Sequence, residues 1–264
     1  MTALVTGASS GIGYELSRLL ARDGFSLVLV ARDNGRLEKA GRELREQFNV
    51  SVKVIPKDLS EPRAADEVFQ ALRKEAIEID VLINNAGYGG YGPFAETVLD
   101  DEFRMMQVNM VSLTQLTKRL LPCMIQKQAG RIMNLASTAG FVPGPFMAVY
   151  YASKAFVLSF SEALNEELRG TGVTVTALCP GATETGFQNR ARAENTILFS
   201  KWNVMDAETV ARIGYRGMLG GKAVVIPGWR NKLMIFSIRF SPRRYVARIA
   251  RFIQEKRNTK SSTL

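Results

Sequence analysis

Ala3-Leu4-Val5-Thr6-Gly7-Ala8-Ser9-Ser10-Gly11-Ile12-Gly13 decides the fold of this chain. An apolar run, a glycine-punctuated turn and the start of a helical pattern follow one another without a gap. Glycines let the backbone turn tightly and come close to a phosphate. A helix N-terminus adds unpaired N–H groups and a partial positive charge. The spacing is G-x-x-x-G-x-G, not the commoner G-x-G-x-x-G. The glycines alone would also suit a plain tight turn. Strand before and helix after make the stretch a nucleotide-binding turn, with Gly7, Ser9, Ser10, Gly11, Ile12 and Gly13 at the pyrophosphate.

The same alternation continues along the chain. Apolar strand-like runs are read at 3–6, 27–31, 52–55, 81–84, 131–135, 173–178 and 223–226. Amphipathic helical stretches are read at 14–22, 36–48, 64–74, 113–126, 150–169 and 207–218. Continuous apolar strands separated by helices predict an α/β fold: one doubly wound parallel sheet of about seven strands, helices on both faces. Pro227-Gly228 is a turn signal that ends the sheet. The expected organisation is a dinucleotide-binding catalytic domain over 1–228 and a basic extension over 229–264.

Bulk properties narrow the function classes. The chain has 264 residues and 46% hydrophobic content, enough for a full core. No charged segment followed by an apolar stretch opens the sequence, and no apolar run approaches the ~20 residues that span a bilayer. Phe25–Ala31 and residues 233–238 are only strand-sized. Cys123 and Cys179 form no disulfide framework and read as buried structural thiols, so a cytoplasmic setting is expected. The net charge of +10 is uneven: residues 229–264 hold ten basic residues and one acid, Glu255, while the rest is nearly balanced. Nucleic acid is not an expected partner, because the body is neutral and shows no reading motif. No metal-ligand cluster is expected.

Histidine is absent, so proton chemistry must come from elsewhere. Tyr150 and Lys154 stand four apart in a helical segment and share a face. A neighbouring ammonium favours phenolate and is expected to lower the phenol pKa. Tyr150 could then exchange a proton with a carbonyl or alcohol. Tyr151 lacks that spacing. At the end of the second strand, Val30-Ala31-Arg32-Asp33 lacks an acid at position 31, and Arg32 can fork onto a 2′-phosphate. NADP(H) is therefore favoured over NAD(H), with Asp33 as a possible ion partner of Arg32 or a ribose contact.

Together these motifs resemble the short-chain dehydrogenase/reductase family over residues 1–228. The family's glycine motif matches Gly7, Gly11 and Gly13, and its adenine contact matches Asp58, followed by Leu59. Its N-N-A-G motif matches Asn84-Asn85-Ala86-Gly87. Its catalytic set matches Asn109, Ser137, Tyr150 and Lys154. Its P-G motif matches Pro180-Gly181, with Thr183 and Thr185 beyond it. The resemblance implies a single-domain Rossmann-like fold and hydride transfer between nicotinamide and a carbonyl or alcohol. In that scheme Tyr150 is acid or base, and Lys154 tunes it and holds the ribose. Ser137 orients the carbonyl, and Asn109 holds a water. It also implies a homo-dimer or homo-tetramer through helices 113–126 and 150–169. A non-catalytic nucleotide sensor and an epimerase-like enzyme are the alternatives.

The expected substrate walls are Tyr88–Phe94, 138–146 and 186–202, rich in aromatic residues, which suits a lipophilic carbonyl. Arg190 and Arg192 could meet an acidic group. In the tail, Ser241-Pro242 reads as a helix start, Ser as N-cap. Tyr245, Ile249, Phe252 and Ile253 fall on one helical face and Arg244, Arg248 and Arg251 on another. Packing on the body or on a second subunit is the plainer reading of this helix. Peripheral contact with an anionic membrane is the other.

Overall fold

A computed structural model of the protein describes residues 1–184 and 204–255. In chain order the elements are β1 (Thr2–Thr6), α1 (Gly11–Arg22), β2 (Ser26–Ala31), α2 (Asn34–Phe48), β3 (Val52–Pro56), α3 (Ala64–Lys74), β4 (Val81–Asn84) and α4 (Leu99–Met106). A wider π-helical segment, Gln107–Ser112, joins α4 to α5 (Leu113–Gln126). Then come β5 (Gly130–Leu135), α6 (Ala148–Glu167), β6 (Val173–Leu178), β7 (Thr183–Glu184), β8 (Met205–Asp206), α7 (Ala207–Leu219), β9 (Val224–Val225), α8 (Trp229–Ile238) and α9 (Arg243–Gln254).

Seven strands form one sheet in the order β3-β2-β1-β4-β5-β6-β9, every pair parallel. Strands buried on both faces must be apolar at every position, and Ala3, Leu4 and Val5 of β1 are fully buried. One face packs on α1, α2 and α7 through Leu16, Leu20, Leu37 and Met218. The other packs on α3, α5 and α6 through Val68, Leu72, Leu116, Met124 and Val157. The strand order reverses between β1 and β4, so the loops leaving their ends part and open a crevice.

Local chemistry fixes the helix ends. Asp33 Oδ1 accepts from Arg36 N at 3.0 Å and caps α2; Asp206 Oδ1 accepts from Thr209 N at 2.6 Å and caps α7. Asn49 ends α2 in the left-handed region at φ 53°.

The structure departs from the sequence reading in four places. Leu99–Met106 and the π segment were not anticipated: only Glu102 and Met105 of α4 are buried, so no strong apolar stripe announces it. The ribbon β7–β8 is too short to carry a pattern. Helix α8, which holds the strand-sized apolar run 233–238, was not anticipated either. Finally, α9 starts one residue late, with Pro242 as N-cap at ψ 132°; the Ser241 hydroxyl donates back to Ser237 O instead. Cys179 is buried as expected, while Cys123 is only half-buried.

Leu82 sits fully buried in β4 beside the sheet centre. Leu82→Ala is expected to cost about 2–5 kcal/mol. The check is a lower denaturant midpoint with an unchanged slope.

Candidate active site

Thr6, the last residue of β1, organises the crevice. Its hydroxyl accepts from the backbone N–H of Asn85 and of Ala86, both at 3.0 Å. The Asn85 carboxamide returns the contact, donating to Thr6 O at 2.9 Å and Gly7 O at 3.1 Å. The loops after β1 and β4 are thus bound to each other. Gly7 has φ +65°, and a Cβ there would lie 2.7 Å from Asn85 Nδ2; a Cβ on Gly13 would strike the same amide and Gly7 O. Both positions therefore exclude a side chain.

The crevice opens into a cleft of about 490 Å³. Its wall includes Gly7, Ser9, Ser10, Gly11 and Ile12 from the first loop. Asp58, Leu59, Asn85, Ala86 and Gly87 follow it, with Pro180, Gly181 and Thr183 on the far side. A dinucleotide fits this lining. Helix α1 opens on the cleft wall at Gly11, and Ser10 before it makes no side-chain cap, so first-turn N–H groups are left for a ligand. Gly13 stands behind the wall as a packing glycine, not a lining residue. Thr185, the aromatic residues Phe187, Phe199 and Trp202, and Arg190 and Arg192 lie outside the described residues.

At the outer end, Arg32 is exposed on the lip, and no ion pair among the described residues engages it. Asp33 does not pair with it: that carboxylate caps α2 and sits 3.4 Å from Arg36 Nε. Arg36 also lines the cleft, a second cation that sequence reading passed over. Its place in the first turn of the helix that follows the second strand, just past the Asp33 cap, was the available signal.

The inner end gathers the predicted proton-handling residues. Ser137 follows β5; its Oγ accepts from Ala139 N at 3.1 Å and donates to Pro180 O at 3.4 Å. Tyr150 and Lys154 both stand on α6 and face the cleft. Lys154 Nζ donates to Leu135 O at 2.7 Å and lies 5.9 Å from the centroid of the Tyr150 ring. Burial pushes the Lys154 amine down to about 8. Burial also raises the Tyr150 phenol, the dominant influence on it, and a hydrogen bond with Ser137 pulls the other way. This reverses the expected lowering by Lys154: the amine is itself desolvated and stands over the ring, so burial wins.

Asn109 lies in the π segment, whose wide turn aims it at α6. Its Nδ2 donates to Tyr88 O at 2.9 Å and to Ser153 Oγ at 3.0 Å, and its Oδ1 accepts from Tyr88 N at 3.1 Å. Ser153 Oγ in turn donates to Tyr150 O at 2.7 Å. Asn109 therefore braces the loop after β4 against the helix that carries Tyr150.

The substrate side carries Tyr88, Ala139, Met147 and Tyr151. Phe94, an expected wall residue, points away and is exposed, and Phe141 packs beneath. Phe146 adopts φ 64°, unusual for a bulky side chain, and its ring lies 5.9 Å from Tyr91. The far end of the chain meets this wall. Tyr91 Oη donates to Gln254 O at 2.8 Å, the Gln254 side chain hydrogen-bonds Tyr151, and the Arg251 guanidinium lies 5.8 Å from the Phe146 ring. No spacing in the sequence could bring residue 254 to residue 91.

Fold and cleft together define a Rossmann-like dinucleotide-binding oxidoreductase. The chain belongs to the short-chain dehydrogenase/reductase family: its profile, described as short chain dehydrogenase, matches residues 1–196. A granaticin polyketide synthase putative ketoacyl reductase from Streptomyces violaceoruber is 38% identical over 221 residues, 83% of this chain and 79% of that protein. Several longer curated reductases are spanned over 52–58% of their own length. A solved short-chain dehydrogenase from Sphingobium yanoikuyae, in complex with NADPH, is similar at TM-score 0.81 and 35% identity, covering 90% of this chain and 94% of its own. Another from Burkholderia phymatum, in complex with NAD, is similar at TM-score 0.79 and 26% identity, covering 89% and 91%.

Lys154 carries a testable linkage. Its folded pKa of about 8 lies below the ordinary 10.5, so the folded state holds its proton less well than the unfolded chain. The burial penalty is fully present below about pH 8 and fades as pH rises toward 10.5. Lys154→Met is expected to raise the thermal midpoint of the protein at pH 7, with the gain shrinking by pH 10; calorimetry across that range is the check. Gly13→Ala, in contrast, is expected to weaken dinucleotide binding at least tenfold by displacing Asn85, as read by titration calorimetry.

Proposed function

We propose that this protein is an NADP-preferring reductase of lipophilic carbonyl compounds, able to run in reverse on the alcohols. The observation that carries the reading is the meeting of Ser137, Tyr150 and Lys154 at the inner end of a cleft whose outer lip carries Arg32. A protein that only sensed nucleotide would have no use for the inner group.

In the reductive direction Ser137 donates a hydrogen bond to the carbonyl oxygen and stabilises charge developing there. Tyr150 gives that oxygen its phenolic proton. The raised phenol keeps its proton through the neutral range, so the proton is there to give, although from a weaker acid than a free phenol. Lys154 holds the ribose and supplies a nearby positive charge. Asn109 keeps the Tyr150 helix and the loop at Tyr88 in register, and holds a water toward Lys154. The dinucleotide, when bound, supplies the hydride; the protein supplies position and electrostatics.

Cofactor choice rests on Arg32 and its neighbour Arg36, both exposed and both on the adenosine side. The NADPH-bound relative supports the choice; the NAD-bound relative makes it one to measure. Contacts to a 2′-phosphate would come from Arg32, with Asp58 and Leu59 at adenine, Asn85, Ala86 and Gly87 along the cleft floor, and Pro180, Gly181, Thr183 and Thr185 at the nicotinamide. The apolar wall of Tyr88, Met147 and Tyr151 favours a bulky, weakly polar substrate. A dimer or tetramer through α5 and α6 would cover Ile125 and Phe156, which are exposed, and the stacked Phe156–Phe160 pair. A cytoplasmic setting fits the free thiols. Among the described residues, no helix is long and apolar enough to cross a membrane.

Tyr150→Phe is expected to lower kcat by about 10²–10⁴-fold, the usual worth of a positioned acid, while NADPH binding changes less than threefold. Unchanged turnover would remove Tyr150 from its role. Arg32→Ala is expected to weaken NADPH about ten- to hundredfold and NADH little, in keeping with one charge-assisted hydrogen bond. Initial rates with both cofactors on a panel of ketones provide the readout, and an NADH preference in the unaltered protein would overturn the cofactor assignment.

A further inference from the structure

The tail helices turn their apolar faces to solvent. On α8, Trp229, Leu233 and Phe236, continued by Phe240, recur at helical spacing and form one stripe. All are exposed, Phe240 at 75%, while Ile235, on another side, is the buried residue of the helix. On α9, Tyr245, Ile249 and Phe252 form a second exposed stripe, with Phe252 at 69%. Val246 and Gln254 attach that helix to the body from elsewhere on its circumference. Ile253, grouped with that stripe by spacing, is half-buried. The side of the helix that spacing alone would press onto the body thus mostly faces away from it.

Cations flank both stripes. Arg230, Lys232 and Arg239 belong to α8 and its end, and Arg243, Arg244 and Arg248 to α9; all are exposed. Arg230 lies 5.5 Å from the Trp229 ring and Arg244 4.9 Å from the Tyr245 ring. The outward apolar residues, ringed by arginines and including Trp and Tyr, match what a headgroup layer accepts: aromatic rings at the interface and cations at the phosphates. A second copy of this chain would set arginines against arginines. Both stripes set aliphatic Leu233 and Ile249 among the aromatic rings, and an aliphatic side chain gains from hydrocarbon but not from stacking on bases.

We propose that α8 and α9 form a docking surface for an anionic lipid bilayer. The same helices reach the cleft: Asn231 of α8 packs on Gly181 of the dinucleotide lining, and Gln254 of α9 holds Tyr91 and Tyr151 at the substrate wall. Adsorption through them brings the substrate wall to the lipid surface and favours carbonyl compounds that partition into membranes. The docking surface stands independently of the proposed reductase function; only this consequence for substrate rests on it.

The test is sedimentation of the full chain with vesicles of phosphatidylcholine alone or mixed with phosphatidylglycerol, without cofactor. The expected result is at least tenfold more protein pelleted by the anionic vesicles, lost at about 1 M salt, where screening reaches only ~3 Å. A Leu233→Ser, Phe236→Ser, Ile249→Ser, Phe252→Ser variant alters only exposed side chains and should keep its thermal midpoint while losing at least tenfold in pelleting. An Arg243→Glu, Arg244→Glu, Arg248→Glu variant should lose binding to the same degree. Wild-type protein left in the supernatant at low salt, or variants that pellet like wild type, overturns the proposal. So does an apolar variant that changes only the oligomeric state in ultracentrifugation, which would assign the stripes to a second copy. Absence of carbonyl reduction in every form would count against the reductase function and leave the vesicle result standing.

Discussion

The contact between Thr6 and Asn85 is the constraint on which the cleft depends. A parallel sheet whose order reverses leaves two loops diverging at the switch, with backbone donors and acceptors turned toward the gap. Here one hydroxyl takes two N–H groups and one carboxamide gives two hydrogens back. Each half is neutral and modest alone, about 1 kcal/mol per bond. Together they fix the separation of the loops and leave no volume for side chains at positions 7 and 13. The glycines that marked the fold in the sequence are therefore demanded twice: by the backbone angle at Gly7 and by the amide that presses on both.

Behind this, a second polar chain ties the sheet to the catalytic helix. Asn84 Nδ2 donates to Thr117 and Asn134, and Asn134 donates to Ser161 of α6. Asn109 and Ser153 bind the same helix from the loop side. Buried amides of this kind cost free energy unless satisfied; Asn84 Oδ1 is left without a partner, but both its Nδ2 hydrogens and the Asn134 amide are engaged, which limits alternative placements. Tyr150 and Lys154 are thus held by the flanks of α6 more than by each other. Their mutual influence is weak at this spacing, and burial governs both pKa values.

How legible was this in the sequence? The sheet was, because strands buried on both faces must be apolar throughout, and six of the helices were, because their stripes face the core. Helix α9 was too, by its Ser-Pro start and its spacing, although its stripe faces out. Helices α4 and α8, whose apolar residues also point outward, were not: α4 shows Leu99 and Phe103 to solvent, and α8 shows Leu233 and Phe236. Periodicity reveals a helix but not which way it faces. The π segment was invisible because one extra residue per turn leaves no mark in composition. Gly7, Ser137, Tyr150 and Lys154 were legible as local motifs, and the cleft unites them. Arg36 and Gln254 were not, the first because an exposed arginine in a first helical turn has the same pattern as any solvated one, the second because its partner is 163 residues away.

That separation bears on how the protein is made. Tyr91 leaves the ribosome long before Gln254 is added, and at about 5–20 residues per second the wait is roughly 10–30 s. During this interval the sheet, the glycine cradle and the catalytic pair can form, since their contacts close within residues already synthesised. The wall around Tyr91 and Tyr151 is finished only when α9 arrives. The contacts of the glycine cradle and of Tyr150 with Lys154 thus lie within the part of the chain made first, and the wall at Tyr91 is the last to be closed.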